Sequence, residues 1–202
     1  IELSIVLIII GLLVAGITGG ASLIKAAELR AVMAEARDYK TAAHAFLVKY
    51  DNLPGDHDVA LGGAAGNNNG TIDQFAVIDE GSNALTQLDN AEMGGIALGA
   101  FNNIPEAAID TAGWTYGSRA EGKNVIFLQN SVGGTAALAA AVPDVQDITT
   151  TVALTGSQVK SIDRKMDDDS YTTGSIRAEK GDASDCVDDD VLASGCNVTF
   201  DL

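Results

Sequence analysis

The chain has 202 residues, 47% of them hydrophobic, with 28 acidic against 12 basic side chains and a formal charge of −16. That length allows one domain with a real core, or a small domain plus an appendage. So acidic a composition repels phosphates and argues against direct nucleic-acid binding, while suiting an outer face that resists random association and attracts cations.

The charge is unevenly spread. Residues 1–50 are near neutral, whereas residues 51–202 hold seven basic and 24 acidic side chains. From Leu3 to Ile24 there is no charged residue at all. As a helix these 22 residues reach about 33 Å, the thickness of a bilayer's hydrocarbon core. A secretory signal peptide and a buried core helix are the other readings. Against the first, no basic stretch precedes the run and no small-residue cleavage site backed by a turn follows it. Glu2 stands beside this apolar span, where a carboxylate needs a partner or headgroup water. The nearest candidate partner is a terminal amine, its own or a neighbour's. Gly11, Gly16, Gly19 and Gly20 weaken the helix by about 1 kcal/mol each relative to Ala. They mark either a place where the helix loosens or simple packing positions.

From Lys25 the pattern turns amphipathic. Leu29, Val32, Met33, Ala36, Ala43, Phe46, Leu47 and Tyr50 recur at spacings of three and four and share one face. Leu53-Pro54-Gly55 is expected to stop a helix of about fifty residues, roughly 75 Å long. The predicted organisation is therefore a hydrophobic helix over 1–24, an amphipathic helix over 25–52 and an acidic globular head over 53–202.

Within the head, Gly62 to Gly70 reads as loop and turn. Helices are expected over Asn83–Met93, ended by Gly94-Gly95, and over Ser157–Met166. Strands are expected at Val125–Leu128, Ser175–Ala178 and Asn197–Phe200. The fold class is α+β: a small antiparallel sheet lying on the amphipathic stripe, with long polar loops.

No nucleophile–base arrangement, phosphate-cradling loop or His-Glu-x-x-His is present, so an enzyme is not expected. His44 reads as a surface or packing residue of the helix. His57, in Asp56-His57-Asp58, reads as an exposed turn before it reads as a metal ligand. Cys186 and Cys196 have nine residues between them. Beside a membrane-insertion segment, a disulfide formed in an oxidising compartment is expected, worth about 2–3 kcal/mol. No cofactor is required by the sequence, but calcium is a candidate. Asp167-Asp168-Asp169, and Asp185, Asp188 and Asp190 with Asp189 between them, concentrate hard oxygen ligands in loops. A solvated acidic surface is the plain alternative. Asn67 to Ile72 has a faint likeness to a calcium loop but lacks acids at its first and last ligand positions, Ala65 and Ala76. Tyr39, Phe46 and Tyr50 on the long helix read as core packing rather than as a conductive chain.

The run Ile1 to Leu13, Ile-Glu-Leu-Ser-Ile-Val-Leu-Ile-Ile-Ile-Gly-Leu-Leu, resembles the N-terminal signature of type IV pilins and type II secretion pseudopilins. Mature chains of that family usually begin with a methylated Phe, then Thr and Leu, so the resemblance implies residues ahead of Ile1. It implies that Glu2 neutralises a neighbouring subunit's N-terminal amine during assembly. Many members carry a helix-breaking Pro near the glycine-rich stretch; here there is none, and any melting must rest on glycine. Tyr50 to Asp56, and Ile162 to Asp168 followed by Thr173-Gly174, are similar to segments of some prepilin-type proteins. The Cys186–Cys196 loop resembles the disulfide-bounded C-terminal region of many major pilins. The implied function is a structural subunit of a type IV pilus-like filament, a homo-polymer built through the N-terminal helix. The implied partners are the bacterial inner membrane, a prepilin peptidase and an assembly machinery, with the finished filament outside the cell. A pseudopilin of type II secretion is the alternative within the family. A single-pass membrane-anchored binding protein is the alternative of another class.

Overall fold

The computed structural model describes residues 2–73, 80–93, 105–109, 112–119, 121–130, 154–170, 173–179 and 197–202. Its first element, α1 (Glu2–Tyr50), is one unbroken helix of 49 residues that runs through all four glycines of its apolar half. It ends before Leu53-Pro54-Gly55. Asp51 takes a left-handed φ of 60°, and its amide still bonds the Leu47 carbonyl at 2.8 Å. A left-handed residue directs the chain out of the helix, so the stop is set three residues ahead of the proline.

Among the described residues, two short helices follow the long one. α2 (Glu80–Asn90) begins three residues before the expected Asn83. It closes in a Schellman motif. The Met93 amide bonds the Leu88 carbonyl at 3.0 Å, the Glu92 amide bonds that of Asp89, and Glu92 sits at φ 56°. The left-handed position that ends the helix therefore falls on a glutamate; Gly94 and Gly95, expected to end it, lie outside the described residues. α3 (Gly156–Met166) matches its expected span within one residue. Thr155 and Gln158 form a reciprocal capping box, the Gln158 amide donating to Thr155 Oγ1 at 3.3 Å and the Thr155 amide to Gln158 Oε1 at 2.8 Å. Each such cap satisfies donors that the first turn leaves open.

The four strands, β1 (Ala112–Ser118), β2 (Asn124–Asn130), β3 (Ile176–Glu179) and β4 (Asn197–Asp201), form one antiparallel sheet in the order β1-β2-β4-β3. Three were anticipated. β1, Ala-Gly-Trp-Thr-Tyr-Gly-Ser, was not: its two glycines are poor strand formers, and it is buried on both faces, which removes the polar–apolar alternation of a half-buried strand.

Register puts Trp114 opposite Leu128, Tyr116 opposite Ile126, Ile126 opposite Phe200 and Phe200 opposite Ile176. Alternate residues of a strand share a face, so these rings and branched chains form one apolar surface. It joins Leu29, Val32, Met33, Ala36, Ala43 and Phe46 of α1 in a single core with Leu85 and Leu88 of α2 and Val159 and Ile162 of α3. The amphipathic stripe read from the sequence is thus the stripe that is buried, with Leu47 and Tyr50 partly covered at its end. The layout is α+β, a long N-terminal helix and a small four-stranded antiparallel sheet.

Candidate functional site

Three features carry chemistry: the free half of α1, the polar lock that fastens its other half, and an acidic cluster at the end of α3. The first follows directly from composition. Among the described residues nothing buries the apolar half, and Leu3 and Leu12 are 81% and 77% exposed. The most apolar window of the helix has a mean hydropathy of 2.5 with no residue buried. A core helix hides such residues from water, so this half is not the core helix of its own head. Its length and composition fit a membrane-spanning helix, and fit a signal sequence by the same measure. Glu2 is the first residue of this helix.

The second half of α1 is held by hydrogen bonds as well as by packing. Glu35 Oε2 accepts from Trp114 Nε1 at 2.8 Å and from the Ala108 amide at 3.1 Å. The Tyr116 hydroxyl donates to the Tyr39 carbonyl at 2.8 Å, and Lys40 Nζ donates to the Asp201 carbonyl at 2.7 Å. Burial pushes the Tyr116 hydroxyl pKa well above its ordinary value, so Tyr116 stays a donor. Tyr39 packs at a tilt against Trp114 with ring centroids 5.6 Å apart, and Phe46 likewise against Tyr50 at 4.5 Å. These aromatics pack the joint between helix and head, as their sequence positions suggested.

His57 corrects an expectation. It is buried rather than exposed, packed edge-on against both Phe46 and Tyr50 at 5.9 and 5.5 Å. Its Nδ1 accepts from the Val59 amide at 2.9 Å, which makes that nitrogen unprotonated. Asp58 Oδ1 lies 3.7 Å from the same nitrogen. With Nδ1 committed as an acceptor, that approach is not an ion pair. His44 is exposed.

The loop after α1 closes on itself. Asp56 is buried and accepts from the Asn69 amide at 2.9 Å and the Gly70 amide at 2.8 Å. Glu80, fully buried, accepts from the Asn67 amide at 2.9 Å and the Asp73 amide at 2.8 Å. Burial raises the Glu80 pKa, and the two amides pull part of that rise back. Asn67 and Asn69 both donate side-chain amides to Asp73 Oδ2, at 3.1 and 2.8 Å. The likeness of this stretch to a calcium loop comes to turn chemistry: its asparagines and aspartates serve one another and the backbone.

The acidic cluster is where sequence reading missed a residue. Asp163, Asp167 and Asp168 each place one carboxylate oxygen within 4.8 Å of the others. Asp163 belongs to α3, one helical turn before Asp167, and that four-residue spacing was the available signal. Asp163 has no exposed surface, and neither of its carboxylate oxygens makes a hydrogen bond. The Ser170 amide approaches and opposes the rise in its pKa without reaching hydrogen-bond geometry. Burial, then the charges of Asp168 and Asp167, push the Asp163 pKa up to about 6. Asp167 and Asp168 are exposed but held: Asp167 Oδ2 accepts from the Ser175 and Ile176 amides at 2.6 and 2.9 Å. Asp168 accepts from the Ser170 amide at 3.0 Å and the Thr173 hydroxyl at 2.8 Å. Asp169, counted with them in the sequence, faces Arg164 instead, 3.7 Å away. The calcium candidates Asp185, Asp188 and Asp190, and the cysteines Cys186 and Cys196, lie outside the described residues.

Comparisons of the chain with protein-family models, with curated proteins and with solved structures return no match.

Proposed function

We propose that the chain is a structural subunit of a type IV pilin-like filament, held in the inner membrane before assembly and polymerised through the first half of α1. The observation that carries this reading is the division of one continuous helix into an apolar half whose most apolar window has no buried residue and a half locked into an acidic head. Uncovered apolar surface of that extent demands lipid or other copies of itself. The glycines support the second destination. Apart from the helix's own backbone, nothing among the described residues lies within 4 Å of where a side chain on Gly11, Gly16, Gly19 or Gly20 would begin, which leaves these positions open to close approach by another molecule.

In the filament the apolar halves bundle in the core and the heads form the outside. Glu2 pairs with the N-terminal amine of an adjacent subunit, because a carboxylate in that core needs a positive partner. Electron microscopy of cells expressing Glu2→Ala tests the mechanism. The expected result is loss of filaments with the head still folded by tryptophan fluorescence; normal filaments from that variant would refute the pairing. Crosslinking between N-terminal helices in cells separates a polymer from a solitary anchored binding protein.

A further inference from the structure

A buried carboxylate without a partner is among the least favourable groups a protein can hold, and one side chain here is in that position. Asp163 lies on the inward side of α3 with Val159 and Ile162, hidden from water, and no hydrogen-bond donor satisfies either oxygen. Its nearest acidic neighbours make matters worse, since Asp167 and Asp168 bring like charge within 4.8 Å. Neither of those two is free to swing away, because backbone amides and the Thr173 hydroxyl hold their carboxylates in place. The neighbourhood is tight: a Cβ on Gly174 would fall 2.0 Å from Asp167 Oδ2.

We propose that Asp163, Asp167 and Asp168 bind one calcium ion, which joins the C-terminal end of α3 to the turn that enters β3. The donor set is oxygen only, which selects hard cations over zinc or copper. Ligand type selects between the hard cations: calcium takes about six to eight oxygens in flexible geometry and accepts several carboxylates, whereas magnesium demands a near-ideal octahedron and is usually held by one or two carboxylates with several waters kept. One oxygen from each of the three carboxylates lies within 4.8 Å of the others, close enough to share one ion. Three carboxylates supply three to six ligand oxygens, and water completes the shell on the exposed side of Asp167 and Asp168. The ion gives Asp163 the positive partner that none of the described residues provides. This inference stands apart from the filament reading and holds for a monomer equally.

Calcium chloride and magnesium chloride are titrated into the full chain in detergent micelles, with calorimetry for binding and tryptophan fluorescence for melting. At a hundredfold excess over its dissociation constant, calcium is expected to raise the melting midpoint by about 5–10 °C. Asp163→Asn is expected to lose one calcium site and that shift, yet to melt without calcium at or above the wild-type temperature, since the buried charge is gone. Asp168→Asn, at an exposed position, carries the test if Asp163→Asn does not fold, with binding weakened at least tenfold. Unchanged calcium binding in these variants overturns the proposal. So does loss of the site only when Asp185, Asp188 and Asp190 are changed to Asn. Equal or tighter binding of magnesium overturns the choice of ion.

Discussion

Trp114 Nε1 donates to Glu35 Oε2 across 2.8 Å, tying the middle of β1 to the head-bound half of α1. The same oxygen takes the Ala108 amide, so one carboxylate holds a strand and its preceding loop against the helix. Glu35→Ala leaves both donors unpaired and is expected to cost about 1–3 kcal/mol. Glu35→Gln keeps an oxygen in place and is expected to cost less. Trp114 is the chain's single tryptophan, so its fluorescence during urea unfolding reads this joint directly. An unchanged midpoint in Glu35→Ala would show that the joint does not depend on it.

Arg119 is the second fastening, on the opposite face of the sheet. It is buried, donates to Asp201 and to Thr199 Oγ1, and leaves Asp201 largely covered. Removing one partner of a buried pair strands the other's charge. Lys123 remains 3.6 Å from Asp201 Oδ2 and softens the loss. Arg119→Ala is therefore expected near the lower end of the range for such pairs, about 3 kcal/mol by denaturant titration.

Glu80 gives the head a pH dependence of definite sign. Its folded pKa is raised above the ordinary 4.5, so folding favours its neutral form. The contribution is complete below that ordinary value and is lost as pH rises through the raised one. Glu80→Gln cannot ionise. The stability of wild type relative to this variant is expected to fall with rising pH across that interval, measured by melting at matched ionic strength. A difference that stays flat with pH would exclude ionisation of Glu80 as its source.

Two glycines of the same loop separate crowding from backbone conformation. A Cβ on Gly66 would meet the Gly55 carbonyl oxygen at 2.3 Å and Asp56 backbone at 2.4 Å, where nothing can yield. Gly70 has open space but a φ of +88°. Gly70→Ala is expected to cost about 1–2 kcal/mol. Gly66→Ala is expected to cost more, since main chain must move. Equal melting points for the two variants would contradict the packed loop.

What the sequence made legible was whatever repeats along one element. The apolar run and the stripe from Leu29 to Phe46 follow a helical period, and the side chains of that stripe are the ones the head covers. The short strands β2, β3 and β4 show themselves through branched and aromatic residues. What stayed hidden depends on contacts between distant segments. β1 has no alternation because both its faces are buried, and His57 looks exposed between two aspartates until Phe46 and Tyr50 close over it. In the acidic cluster, a run of three aspartates drew attention to Asp169, whereas Asp163 is the member placed inside. The four-residue spacing puts Asp163 beside Asp167, but the burial of that helical turn, which makes Asp163 the inner member, is not reported by any local pattern of charge.

The contacts that hold the head are spread along α1 from Leu29 to Phe46, about 25 Å of its axis. A pull along that axis loads Glu35, Tyr39, Lys40 and the apolar side chains between them in shear, together, instead of peeling them one after another. A tether built this way yields through a rare collective slip, and its lifetime under tension is set by the rate of that slip.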